Sequence, residues 1–276
     1  MAAQKFVCIA PRRHCERSEA IRQPRPRLCP GLLRPAMRAR RARGPRKDEE
    51  LRKWGHWRSA TPVPFNRQPF REIIMKLFYS PGACSLSPHI ALLEAGLPFS
   101  LEKVDLKDKK LESGGDYNGV NGKGYVPTLE LDNGQILTEG PAIVQYIADQ
   151  KPAAGLAPAA GTMERYRLQE WLNFVTSELH KSMGSMFNPA QTPEWKQAVK
   201  TTLSKRLDWL SKQLEGKQYL MGDKFSVADA YLFTILGWAP MVGFDLGPWP
   251  VIRQYAARVG QRPKVVEAMK QEGLVK

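Results

Sequence analysis

The chain has 276 residues, enough for two domains with a sizeable core. With 42% hydrophobic and 9% aromatic residues it is not disordered throughout, and it holds no apolar run approaching the roughly 18 residues of a spanning helix. The 42 Lys and Arg against 27 Asp and Glu give a net charge of +15, a balance that taken alone points to nucleic acid or an anionic membrane.

The charge is unevenly placed. Residues 1–74 carry 19 Lys and Arg against 6 Asp and Glu, a net of +13, which leaves residues 75–276 at only +2. Cysteine divides the same way, with Cys8, Cys15 and Cys29 in the first segment and Cys84 alone afterwards. A domain with one cysteine has no internal disulfide framework, which fits a reducing cytoplasm. The first segment has nine prolines, an Arg-dense run from Arg34 to Lys47 and no sustained apolar periodicity, so it reads as a disordered basic extension. Phe6–Ala10 is too short for a secretory signal, and Glu16, Glu19 and Asp48–Glu50 count against a transit peptide. His14–Ile21 resembles peptides obtained when repetitive bacterial intergenic DNA is translated, so residues 1–74 also admit a reading as an artefact of start-codon choice, with Met75 as the natural start.

From Met75 the texture changes. Lys76–Tyr79 predicts a strand and Ser80-Pro81-Gly82 a turn. Leu86, Ile90, Leu93 and Leu97 step at helical spacing, with Gly96 and Pro98 as the stop, and Phe99–Val104 alternates as a second strand. The result is a βαβ unit whose ligand site is expected beyond the carboxyl end of the first strand. Residues 107–124 read as a long polar loop of functional interest. Val126–Leu131 and Gln135–Thr138 predict a hairpin turned at Asn133-Gly134 with the positive φ of a tight primed turn. Pro127 lacks a ladder donor and belongs at a strand end or edge, a place for a cis bond. A helix follows from Ala142 to Asp149, led by Pro141.

The expected organisation is therefore a first domain over 75–152, a linker over 153–161 and an all-helical domain over 162–276. Leu168, Trp171, Leu172, Val175 and Leu179 mark one helix, and Leu203, Leu207, Leu210 and Leu214 another. Ser226–Trp238 is nearly all apolar, entered through Ser226 and Asp229 in a capping-box pattern with Asp in place of Glu or Gln.

Several motifs in this order resemble one family. Phe78–Ser87, Val126-Pro127, Leu137–Gly140, Glu170–Asn173, Glu178–Lys181 and Ala228–Phe233 are similar to the beta-class, bacterial glutathione transferases over residues 75–276. That resemblance implies an α/β thioredoxin-like N-terminal domain followed by an all-α helical bundle. It implies glutathione as co-substrate, no metal, a homodimer in the cytoplasm, and no membrane or nucleic-acid partner despite the basic extension.

The resemblance also assigns residues. Val126, before Pro127, would offer its backbone to the cysteinyl residue of glutathione as a short antiparallel augmentation. Glu139 and Gly140, at a helix start, suit the γ-glutamyl group. Cys84, Ser85 and His180 would face the sulfur, while Ala83, Lys109, Asn173, Ser177 and Lys181 would lie near the tripeptide or the cleft. Read as a residue, Cys84 sits at a helix N-terminus, which lowers a thiol pKa and favours thiolate, although a free cysteine also serves as a small buried hydrophobe. His180 rests on the resemblance, since a lone helical His is usually structural; His89 and His56 are read as structural. Asn121-Gly122-Lys123-Gly124 departs from the family's Asn-Pro-Lys-Gly, Tyr125 replaces a common Gln, and Gly140 stands where other classes often have Ser.

Three functions remain open at this point. The first is conjugation of the glutathione thiolate to small electrophilic, largely apolar substrates. The second is thiol-disulfide or peroxide chemistry with Cys84 as mixed-disulfide nucleophile in a CxxS pattern. The third is a non-catalytic ligand-binding or interaction module.

Overall fold

A computed structural model of the chain describes residues 74–276, and the readings of the basic first segment lie outside the described residues. Strand β1 (Met75–Tyr79) is covered on both faces. Met75, Leu77 and Tyr79 enter the main core, while Phe78 points the other way, onto Val104, Tyr117 and Val126. Helix α1 (Leu86–Ala95) is buried nearly all round and stops at Gly96, whose φ of 63° lets its N–H turn back to the carbonyls of Leu92 and Leu93. Strand β2 (Phe99–Asp105) then pairs parallel with β1.

The polar stretch 107–124 is more ordered than its composition suggests. It contains a short strand β3 (Lys110–Leu111), antiparallel to β2, and a 3₁₀ turn (Tyr117–Gly119) capped by the Asp116 side chain. Strands β4 (Thr128–Glu130) and β5 (Ile136–Thr138) complete a five-stranded sheet in the order β3-β2-β1-β4-β5, with β4 antiparallel to β1 and to β5. Their hairpin departs from the primed turn expected of Asn133-Gly134. Only Gly134 has a positive φ (78°), and the N–H of Gly134 bonds to the carbonyl of Leu131 while the N–H of Leu131 bonds to that of Gln135. This is a longer turn closed by one left-handed glycine, the bulged alternative to the two-residue loop. Helix α2 (Gly140–Gln150) follows, with Pro141 in its first turn.

The remaining chain is helical: α3 (Met163–Phe174), a π-helical turn (Val175–His180), α4 (Lys181–Ser185), α5 (Pro193–Leu214), α6 (Val227–Leu236), α7 (Pro250–Gly260) and α8 (Pro263–Gln271). The sequence pattern treats residues 162–181 as a single helix and gives no sign of the π turn. At the start of α6 the Asp229 carboxylate accepts from the N–H and hydroxyl of Ser226, from the N–H of Leu220 and from the Tyr255 hydroxyl. Burial raises the pKa of this acid, and the four donors pull against that rise without reversing it. One apolar core runs from Met75 through α1, α2 and α6 to Ala268, so the sheet and the helices are fixed against each other.

Candidate functional site

The turn after β1 carries Cys84 and Ser85 just ahead of α1. The Cys84 thiol donates to the Val126 carbonyl at 3.1 Å. Burial pushes this thiol up to about 12; the N–H groups of Cys84 and Ser85 and the charge of Lys181 pull the other way, and Glu139 adds to the rise. The helix-start position therefore does not deliver the thiolate expected of it. Desolvation outweighs the few N–H groups there. Ser85 is fully buried and its hydroxyl is spent on the preceding turn, accepting from the N–H of Ser80 at 3.2 Å and donating to the Ser80 carbonyl at 3.3 Å.

Val126 precedes Pro127 through a cis peptide bond. The approach to it is held from beneath. Tyr117, fully buried, places its hydroxyl 3.1 Å from the Tyr125 carbonyl and 2.7 Å from the Thr128 hydroxyl, and the Asn121 amide donates to the same carbonyl at 2.9 Å. The Gly-for-Pro departure in the 121–124 loop thus leaves the anchoring Asn121 in place. Beyond β5, Glu139 takes a φ of 71°, a left-handed conformation that a side chain normally avoids, and its carboxylate pairs with Lys123. That carboxylate raises the Lys123 ammonium pKa. Gly140 then opens α2.

His180 closes the π turn of the helical half. Its Nδ1 lies 2.5 Å from the Tyr231 hydroxyl, and its ring meets Trp238 edge-on with centroids 4.9 Å apart. Burial, helped by the charge of Lys181, lowers its pKa to about 4, so the imidazole is neutral at neutral pH. Extra residues in a helical turn of this kind recur at functional sites.

These groups converge on one cavity of about 390 Å³. Cys84, Val126, Pro127, Glu139 and Gly140 line it from the sheet side. His180, Lys181 and Tyr231 line it from the helices. Five other expected site residues stand apart from it. Ser85 is under the turn; Lys109, with φ 56°, donates to the Gly124 carbonyl at 2.6 Å; Asn173 and Ser177 are exposed, with the Ser177 hydroxyl on the Asn173 carbonyl. Ala83 lines a second, similarly apolar pocket of about 340 Å³ with Phe187, Trp238 and Met241, which shares Cys84, Tyr125, Val126 and Gly184 with the first.

Residues 82–150 match the model for the glutathione S-transferase N-terminal domain, and residues 174–263 that for the C-terminal domain. The chain belongs to the glutathione S-transferase family. It is 46% identical to glutathione S-transferase GstA of Escherichia coli O157:H7 over 200 residues, 72% of this chain and all of that protein. Among solved structures it is similar to BphK, a bacterial glutathione transferase in a ternary complex, at 60% identity and a TM-score of 0.71, covering 72% of this chain and all of the other. It is also similar to a beta-class enzyme of Sphingomonas chungbukensis, at 52% identity and a TM-score of 0.70 with the same coverage. The beta-class resemblance and the thioredoxin-like-plus-helical architecture therefore hold, and the protein is a glutathione transferase.

In this transferase the sequence reading left Tyr231 and Thr176 without roles, although both line the cavity. A phenol in a largely apolar helix was the available signal, because a buried hydroxyl needs a partner. Trp238 was likewise passed over; its indole N–H donates to the Gly82 carbonyl at 2.8 Å, tying the chain just after α6 to the turn that carries Cys84.

Proposed function

We propose that the 390 Å³ cavity binds glutathione and presents its thiolate to small, largely apolar electrophiles entering from the adjoining pocket beside Phe187, Trp238 and Met241. The observation that carries this reading is the convergence on one cavity of Val126-Pro127, the Glu139-Gly140 helix start and His180. Val126 would pair its backbone with the cysteinyl residue, its carbonyl having lone pairs for both the Cys84 thiol and a ligand N–H. Gly140 at the start of α2 would receive the γ-glutamyl carboxylate, and Glu139 would exchange Lys123 for the ligand's ammonium. His180, neutral, would donate to the thiolate without being consumed, and Lys181 would add positive charge nearby.

Conjugation needs glutathione's own thiolate, whereas a covalent role for Cys84 needs that of the protein. The protonated state of Cys84 favours conjugation over disulfide exchange. The position of Cys84 in the cavity wall supports the exchange reaction as a second, slower activity. Steady-state turnover of an aryl halide and of a glutathione mixed disulfide, with one enzyme preparation, tests the order; faster mixed-disulfide turnover would reverse it. Detoxification in the cytoplasm as a homodimer completes the proposal, with light scattering as the check on assembly. Among the described residues no helix is long and apolar enough to cross a membrane.

A further inference from the structure

Deepening the proposed function, on which it rests, we infer that Tyr231 is a positioning residue that fixes His180 as its Nε2–H tautomer, so that the imidazole meets the cavity as a hydrogen-bond donor and not as a base. The hydroxyl of Tyr231 has a single proton and two neighbours, His180 Nδ1 at 2.5 Å and the Thr176 hydroxyl at 3.4 Å. The Thr176 hydroxyl is the donor side of that long contact and of a shorter one to the Leu172 carbonyl at 2.8 Å, so it does not draw the phenol proton. The shorter contact takes the phenol proton, and Nδ1 is the acceptor. A neutral imidazole that accepts at Nδ1 carries its hydrogen on Nε2.

The remaining geometry agrees. Burial holds the phenol well above its ordinary pKa and the imidazole well below its own, so the pair keeps one proton on oxygen and one on the ring. No side-chain nitrogen or oxygen among the described residues is buried without a partner, and Nε2 has no protein partner, so it is open to the cavity that His180 lines. The ring cannot readily turn over, being fixed edge-on by Trp238 at 4.9 Å and by the Tyr231 ring at 5.7 Å. Thr176 and His180, four residues apart and so on one face of the helical segment, meet the same phenol. The consequence for the reaction is a division of roles: the glutathione thiol gives its proton to solvent water, and His180 takes no proton but donates its Nε2–H to the thiolate that remains.

Nitrogen NMR of the ¹⁵N-histidine-labelled full chain tests this. Four histidines are present, and the His180→Gln spectrum identifies the His180 signals. The wild type is expected to show an Nε2–H tautomer at pH 7, a result that stands whether or not any variant folds. Tyr231→Phe, which keeps the ring and deletes the hydroxyl, is expected to give mixed tautomers and a higher His180 pKa. Its kcat should fall roughly 5- to 20-fold with glutathione KM within about twofold. A wild-type Nδ1–H tautomer, an unchanged spectrum in Tyr231→Phe, or a switched tautomer with undiminished kcat would each overturn the inference. Absence of turnover across an electrophile panel, with Nε2–H present in the wild type, would instead remove the proposed function and support the tautomer.

Discussion

The Cys84 thiol and the Val126 carbonyl are hydrogen-bonded at 3.1 Å although 42 residues separate them in sequence. The nucleophile most visible in the sequence thus rests as a protonated donor on the backbone that leads into the cis proline. With the thiol pushed up to about 12, the thiolate fraction at pH 8 is on the order of one in ten thousand. Iodoacetamide labelling of Cys84 should climb through pH 9–11 without levelling; a plateau near pH 7 would show a thiolate that burial does not suppress.

Cys84→Ala should slow conjugation to an aryl halide by less than about tenfold while reducing mixed-disulfide turnover by roughly 100-fold or more, because only the second reaction needs a covalent sulfur on the protein. Parallel rates on the two substrates measure the split, and equal losses would mean that both reactions pass through Cys84.

His180 makes a signed prediction for pH. Its folded pKa, about 4, lies below the ordinary histidine value, so the folded state binds the proton less well than the unfolded chain. Its stability contribution is complete above about pH 6.5 and is lost as pH falls toward 4. Thermal melts between pH 7 and 4 should therefore drop more steeply for the wild type than for His180→Gln. At pH 7 the conjugation rate of His180→Ala should be lower by about 10- to 100-fold, the scale of one lost donor.

Ser85→Ala should act on stability and not on sulfur. Its hydroxyl joins both polar groups of Ser80, and its loss in a buried place costs about 1–3 kcal/mol. A lowered denaturant midpoint with kcat for conjugation within about threefold is the expected result. A kcat deficit of tenfold or more in a fully folded variant would return Ser85 to the sulfur.

Glu139 and Lys123 form an exposed pair, and such pairs add little to stability. Lys123→Ala should leave the melting temperature nearly unchanged and tighten glutathione by a few-fold at low salt, since Glu139 no longer has a competing cation. Glu139→Gln should weaken glutathione by roughly tenfold, through loss of a charge-assisted bond to the ligand's ammonium. Calorimetric titration of both variants decides, and weaker binding in Lys123→Ala would show that the lysine itself holds the ligand.

Local chemistry made much of this protein readable. Hydrophobic periodicity marked β1, α1 and β2, glycine and proline marked their ends, and Ser226 with Asp229 marked the start of α6, since each signal acts within a few residues of backbone. The primed turn at Asn133-Gly134 failed because β4 and β5 end early enough to leave a longer loop that needs only one positive φ. What the residues do at the cavity was decided by contacts far apart in sequence. Cys84 is protonated because burial outweighs the N–H groups beside it, its thiol resting on the carbonyl of Val126, 42 residues away, and His180, at the end of the π turn, finds its partner in Tyr231, 51 residues away. Sequence sets which groups can titrate and where helices begin. Desolvation and the direction of a shared proton depend on what packs against those groups, and that is a property of the tertiary structure alone.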